Sequence, residues 1–245
     1  MRLPKRIKPC PIKEAIIEIR FDTNLPSEAV FGVVYNELKD RYSNLEKLPI
    51  LQLPEVVRNS DSNLTYLPHY KLTKHPFTLQ LGSKVVSLSI SEPYSEWDDL
   101  VKESLEVFDK LNILSFIENV TRFAIRYINF FENTDMFSNI NLAISPKNQL
   151  SDMPIVSNQM TFRTVVKDEN FCTILLISNN TEVIQVKEKT KSIGSIIDLD
   201  TYILNIDGNF FSKAKDLLLE AHLVEKNLFF SLLKEEFINK LNPEY

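Results

Sequence analysis

The first clear signal along the chain is an alternation of apolar and polar residues over residues 12–22, where Ile17, Ile19 and Phe21 interleave with Glu18 and Arg20. A period of two predicts a β-strand with one buried face. After Pro26-Ser27 the period changes. Val30, Val33, Val34 and Leu38 stand at helical spacing, and Tyr42 continues the same face. A polar stretch with prolines at 49 and 54 and Asn59-Ser60-Asp61 predicts an irregular crossing. Two strands follow, over residues 64–73 and 77–90, the second alternating Phe77, Leu79, Leu81 and then Val86, Leu88, Ile90 around Gly82. The pair predicts a hairpin. Pro93-Tyr94-Ser95-Glu96-Trp97-Asp98 predicts a helix start, with Ser95 as cap and Asp98 completing a capping box. Behind it Trp97, Leu100, Val101, Leu105, Phe108 and Leu111 form one apolar stripe to about residue 112, followed by a strand over residues 118–131.

The order β-α-β-β-α-β across the first 131 residues is the one expected of a split-βαβ, ferredoxin-like unit. The second half has a different texture. Strands are predicted at 157–167, 171–178, 182–188 and 195–206, with turns at Asp168-Glu169-Asn170, at Ser178-Asn179-Asn180 and in the charge run Lys187–Lys191. Such a succession reads as an antiparallel meander. From Asn209 the pattern is helical, with Phe211, Ala214, Leu218, Ala221, Leu228, Phe229, Leu232, Leu233 and Phe237 on its apolar face. The expected fold is α+β: antiparallel sheets with helices packed on one side, a ferredoxin-like (βαββαβ) first half, then a β-meander and C-terminal helices. The change of texture divides the chain into residues 1–133 and 134–245, as two halves or one continuous domain.

Composition narrows the function classes. With 44% hydrophobic and 25% charged residues in 245, the chain has material for one large core or two modest ones. Its 28 basic against 33 acidic side chains give a net charge of −5, which argues against a nucleic-acid or anionic-membrane partner. Only Arg2, Lys5, Arg6 and Lys8 make a basic cluster, and that reads as a solvated terminus. No apolar run approaches the roughly 18–20 residues that span a bilayer, and no apolar core of a signal peptide follows the basic start, so a cytoplasmic protein is expected. Cys10 and Cys172 are too far apart in sequence to form a metal knuckle or CxxC pair. Glycine occurs only at 32, 82, 194 and 208, so phosphate-cradling loops of the P-loop, dinucleotide-binding or kinase type are excluded, as is the GxSxG nucleophile elbow.

The candidate chemistry lies in two strands that carry arginine. Arg20 interrupts Ile16–Phe21, while Arg122 and Arg126 interrupt Arg122–Asn129. A buried arginine demands an anionic or carbonyl partner. Glu18 lies two residues from Arg20 and therefore on the same face, available for pairing across a sheet. One reading is an internal ion-pair lattice. The other is an anion-binding groove lined by Arg20, Arg122 and Arg126 with Glu18 and Asn129 beside them, since guanidinium forks match phosphate oxygens. His69 and His75 share a strand face too far apart to grip one metal, and His222 with Glu225 or Lys226 at one-turn spacing reads as a structural histidine more readily than as a general base. Asp198 and Asp200 share a strand face, a spacing that can hold Mg²⁺ but that a solvent-facing row of charges produces more often. No catalytic residue, metal or cofactor is expected.

A family resemblance runs through most of the chain. Pro11-Ile-Lys-Glu14-Ala-Ile-Ile-Glu18-Ile-Arg20-Phe21, Tyr66-Leu-Pro68-His69-Tyr70, Tyr94-Ser-Glu-Trp97, Arg126-Tyr127-Ile128-Asn129 and the closing Ala221-His222, Phe229 and Leu241-Asn-Pro243 recur in that order. Together they resemble a sporadically distributed family of uncharacterised prokaryotic proteins of about this length, which carries no assigned reaction. Patchy distribution of that kind implies an accessory role, including defence or toxin-antitoxin modules. The expectation is a non-enzymatic binding or assembly component acting through a protein partner or self-association as a homodimer. The alternative is an enzyme or sensor that binds a nucleotide or another phosphorylated, anionic small molecule on the arginine-lined face.

Overall fold

The computed structural model describes residues 3–142, 159–185, 190–206 and 208–245. The opening alternation becomes β1 (Ile12–Thr23), in which Ala15, Ile17, Ile19 and Phe21 are buried while Glu14, Ile16, Glu18 and Arg20 are more open. Then come α1 (Ser27–Leu38), β2 (Asn44–Lys47), a 3-10 turn over Pro49–Gln52, α2 (Glu55–Ser60), β3 (Tyr70–Lys74), β4 (Phe77–Leu81) and β5 (Val85–Ser91). These are followed by α3 (Trp97–Leu114), β6 (Ile117–Glu132), β7 (Thr161–Lys167), β8 (Cys172–Gln185), β9 (Thr190–Leu204), α4 (Phe210–Leu232) and α5 (Glu235–Lys240). The strands follow the hydrogen-bonded order β2-β3-β4-β5-β1-β6-β9-β8-β7. Pairing is antiparallel between β1 and β5, β2 and β3, β3 and β4, β4 and β5, and β7 and β8. The fold is thus α+β, with a large antiparallel sheet and helices.

Several elements differ from expectation for identifiable reasons. The run 77–90 is two strands joined at Gly82-Ser83-Lys84. The apolar alternation survives the reversal because Phe77 faces Ile90, Leu79 faces Leu88 and Leu81 faces Val86 on one side of the sheet. Gly82 permits the turn to close: a Cβ there would lie 2.7 Å from the Leu67 carbonyl oxygen and 2.7 Å from Val85 Cγ1. The stretch 64–69 is not strand, because the Asp61 carbonyl accepts from the amides of Leu64 and Thr65 and turns the chain. The expected irregular crossing contains β2 and α2. Ser95 does not cap α3; Glu96 holds the N-cap position in extended conformation with no side-chain cap bond, and Asp98 and Asp99 occupy the first turn, where the helix dipole favours them.

Ser178-Asn179-Asn180 is not a turn either. β8 runs through it, with Asn180 at φ 51°. Its polarity serves a side-chain network instead: Asn179 Oδ1 accepts from the Met136 amide (3.0 Å) and Ser195 Oγ (2.7 Å), and its amide donates to Asp135. Of the predicted strands, residues 157–158 and 186–188 lie outside the described residues, as does most of the expected Lys187–Lys191 turn.

The chain forms two compact units. One comprises Glu14–Arg126 and Tyr202–Ala221, the other Met1–Lys13, Tyr127–Thr201 and His222–Tyr245. In the first, Phe210 packs edge-on to Phe108 (5.3 Å between centroids) and against Phe123 (5.6 Å), adding to a core of Ile17, Ile19, Val34, Leu79 and Leu111. In the second, Phe131, Met136, Leu175, Ile177, Ile197 and Leu199 are covered by Phe229, Leu233 and Phe237.

Candidate functional site: the arginine-bearing strands

The alternation of β1 places Glu18 and Arg20 on its more open face, with Glu18 opposite Ser87 and Arg20 opposite Val85 of β5. Glu18 Oε1 accepts from Arg20 Nε at 2.7 Å and from Arg122 Nη1 at 2.8 Å. One carboxylate oxygen thereby joins two guanidinium groups from two strands, through charge-assisted bonds that are the stronger kind. Each guanidinium also lies over an aromatic ring: Arg20 over Tyr66 at 4.8 Å and Arg122 over Tyr202 at 4.9 Å. Such stacking suits the planar, weakly hydrated arginine head. The side chains open progressively toward solvent, with Arg122 11%, Glu18 22% and Arg20 33% exposed. The Thr121 hydroxyl donates to the Arg20 carbonyl oxygen at 3.2 Å, fixing the backbone from which Arg20 projects.

Glu18, Arg20 and Arg122 are therefore one cluster. Arg126 lies four residues farther along β6 and is exposed. Asn129 belongs to the other compact unit, where it is buried and its amide donates to the Ile197 carbonyl at 3.3 Å. Tyr66 and Tyr202, which complete the cluster, escape sequence reading because a stacking partner leaves no periodic signal. The arrangement can hold an oxyanion at the Arg20 fork, whose Nε alone is engaged by Glu18, with the Tyr66 face alongside. Among the described residues no group of three or more His, Cys, Asp and Glu side chains could hold a metal ion.

No protein-family model matches the chain, and no curated protein matches it.

Two further polar groups were hidden in apolar stripes. Glu103, on the buried side of α3 between Leu100 and Val107, receives hydrogen bonds from Arg41, Tyr42 and Lys74. Its burial raises the carboxyl, but those bonds outweigh it and hold the group at about 2. In the second unit, Glu225 occupies the core-facing stripe of α4 between Ala221 and Phe229 and is only 5% exposed. One turn away, His222 Nδ1 lies 3.3 Å from the Tyr127 hydroxyl. The signal for both glutamates was legible in principle: a carboxylate at an i+3 or i+4 position of an otherwise apolar face. His69 is buried, with Arg58 Nη1 3.4 Å from both ring nitrogens, whereas His75 is exposed. Burial and then the Arg58 charge push His69 below its ordinary value.

Proposed function

We propose that this protein is a non-enzymatic binding or assembly component that acts through protein contacts, in a prokaryotic accessory system of the kind its family resemblance implies. The observation that carries this reading is the outer edge of β7. β7 ends the strand order, and among the described residues no strand pairs with it on the side away from β8. Its seven residues, Thr161 to Lys167, contain no proline or glycine, and Val165 and Val166 are 51% and 36% exposed. Sheet edges of this kind template the addition of another strand unless they are guarded. The arginine cluster supports the same reading, since Glu18 engages two guanidinium groups internally. The strand order β6-β1-β5-β4, with helices between β1 and β4 and between β5 and β6, supports a ferredoxin-like first half with its helices on one side.

A photo-crosslinking residue at Arg163, in cells making the protein, tests the contact reading. A discrete crosslinked protein is expected from Arg163 and not from Asp109, an exposed position on α3. No specific product from Arg163 would overturn it.

The second reading, an enzyme or sensor that binds a nucleotide or phosphorylated ligand, is favoured by the Arg20 fork over Tyr66. Thermal unfolding against a panel of nucleotides and pyrophosphate decides it. A stabilisation lost in Arg20→Ala supports this reading, and a flat panel removes it.

A further inference from the structure

We infer that β7 is the interface of a homodimer in which two copies of the strand pair antiparallel about Thr164. This rests on the protein-contact reading and names its partner. The register of β7 on β8 sets the faces. Phe162 lies opposite Ile177, Thr164 opposite Leu175 and Val166 opposite Thr173, so the even residues share the face of the second unit's core. Thr161, Arg163, Val165 and Lys167 share the other face.

A two-fold axis perpendicular to the sheet keeps each face on its own side, so each possible register is centred on a residue that opposes itself. Centring on Arg163 sets that arginine against its own copy. Centring on Val165 sets Arg163 against Lys167 twice. Like charges directly opposite one another are destabilising. Centring on Thr164 pairs all seven residues and creates neither conflict. Arg163 then faces Val165, Thr161 faces Lys167 and Phe162 faces Val166. The two charges of the strand select the register rather than block the edge.

The core-side face supplies a second argument. Val166 lines a groove of about 390 Å³ together with Leu3, Thr173, Val224 and Leu228. In the Thr164-centred pair, Phe162 of the second copy lands beside Val166 on this face. Phe162 is half-buried against its own unit's core, so in the pair it borders the partner's groove beside Val166 rather than entering it, once from each copy, as a self-complementary interface requires. A seven-residue strand pair with two such contacts is a small interface, so the dimer is expected to be concentration-dependent.

The test uses the full chain with Cys10→Ser and Cys172→Ala, leaving the introduced thiol as its only cysteine. Under mild oxidation Thr164→Cys is expected to give a disulfide-linked dimer and Val165→Cys is not, because Val165 faces Arg163 of its partner. Sedimentation of the unaltered chain should show a monomer–dimer equilibrium. Val165→Lys, which brings lysine against Arg163, should weaken it about tenfold or more without changing the monomer's unfolding. A sedimenting monomer at every concentration overturns the inference, as does crosslinking through Val165→Cys in preference to Thr164→Cys. If the chain is monomeric while the Arg163 crosslinker still captures a different protein, self-pairing falls and the contact reading stands.

Discussion

Glu225 shows what one buried carboxyl does to the stability of its surroundings. Burial pushes it up to about 8, with the Lys226 charge opposing only in part, so near neutral pH the folded chain holds it largely protonated. His222, one turn away, is pushed down to about 4 by burial, with Lys226 acting in the same direction. The two signs are opposite. A raised carboxyl contributes stability that is fully present below its unfolded value of 4.5 and lost as pH rises through 8. A depressed histidine contributes stability present above 6.5 and lost as pH falls to about 4. Between 4.5 and 6.5 the two slopes cancel; from 6.5 to 8 only that of Glu225 remains, costing about 2 kcal/mol. Glu225→Gln is expected to remove this alkaline loss while leaving the acid-side loss due to His222. Urea unfolding of both proteins at pH 6.5 and 8 measures it, and an unchanged pH slope in the variant would contradict the assignment.

At the scale of elements, Glu103 joins three parts of the first unit. Its Oε1 accepts from Arg41 Nε (2.9 Å) and the Tyr42 hydroxyl (2.7 Å), just after α1, and its Oε2 accepts from Arg41 Nη2 and from Lys74 Nζ of β3 (both 2.7 Å). Because the folded carboxyl sits at about 2, its contribution is present above 4.5 and lost as pH falls toward 2. Glu103→Gln is expected to cost about 2–3 kcal/mol at pH 7, since it strands a buried tyrosine hydroxyl and two half-buried cations. It should also flatten the acid side of the stability curve; chemical unfolding at pH 7 and pH 3 checks both, and equal losses at the two pH values would count against it. Sequence reading found β1, α1, α3, β6 and α4 because each holds a single apolar period over many residues. It missed the β4–β5 reversal because Leu81 and Val86 continue one another's face, and it placed a turn at Ser178–Asn180 because side chains that satisfy a buried network look like turn residues. For the candidate site, the pairing of Glu18 with arginine was legible from strand periodicity. The rings of Tyr66 and Tyr202 were not, since a turn and a sequence-distant strand deliver them.

At the scale of the molecule, each compact unit is assembled from segments far apart in sequence, and α4 is divided between them at Ala221 and His222. In the second unit the chain's two ends are joined: the Lys5 amide donates to the Glu244 carbonyl, the Glu244 amide to the Arg6 carbonyl and the Lys8 amide to the Leu241 carbonyl. A chain ending at Leu233 loses these bonds together with Phe237, which lies 5.6 Å from Phe131, and the buried Ile238 and Leu241. Every one of those losses falls in the second unit. The first keeps Phe210 between Phe108 and Phe123 and keeps the Glu103 cluster. Removing three large buried apolar side chains costs several kcal/mol, a large part of the stability of an ordinary domain. Hydrogen exchange of this truncated chain is therefore expected to show faster exchange in β8 and the remaining part of α4, with protection retained in β4, β5 and α3. Equal loss of protection in both sets would mean that the two units unfold as one cooperative body.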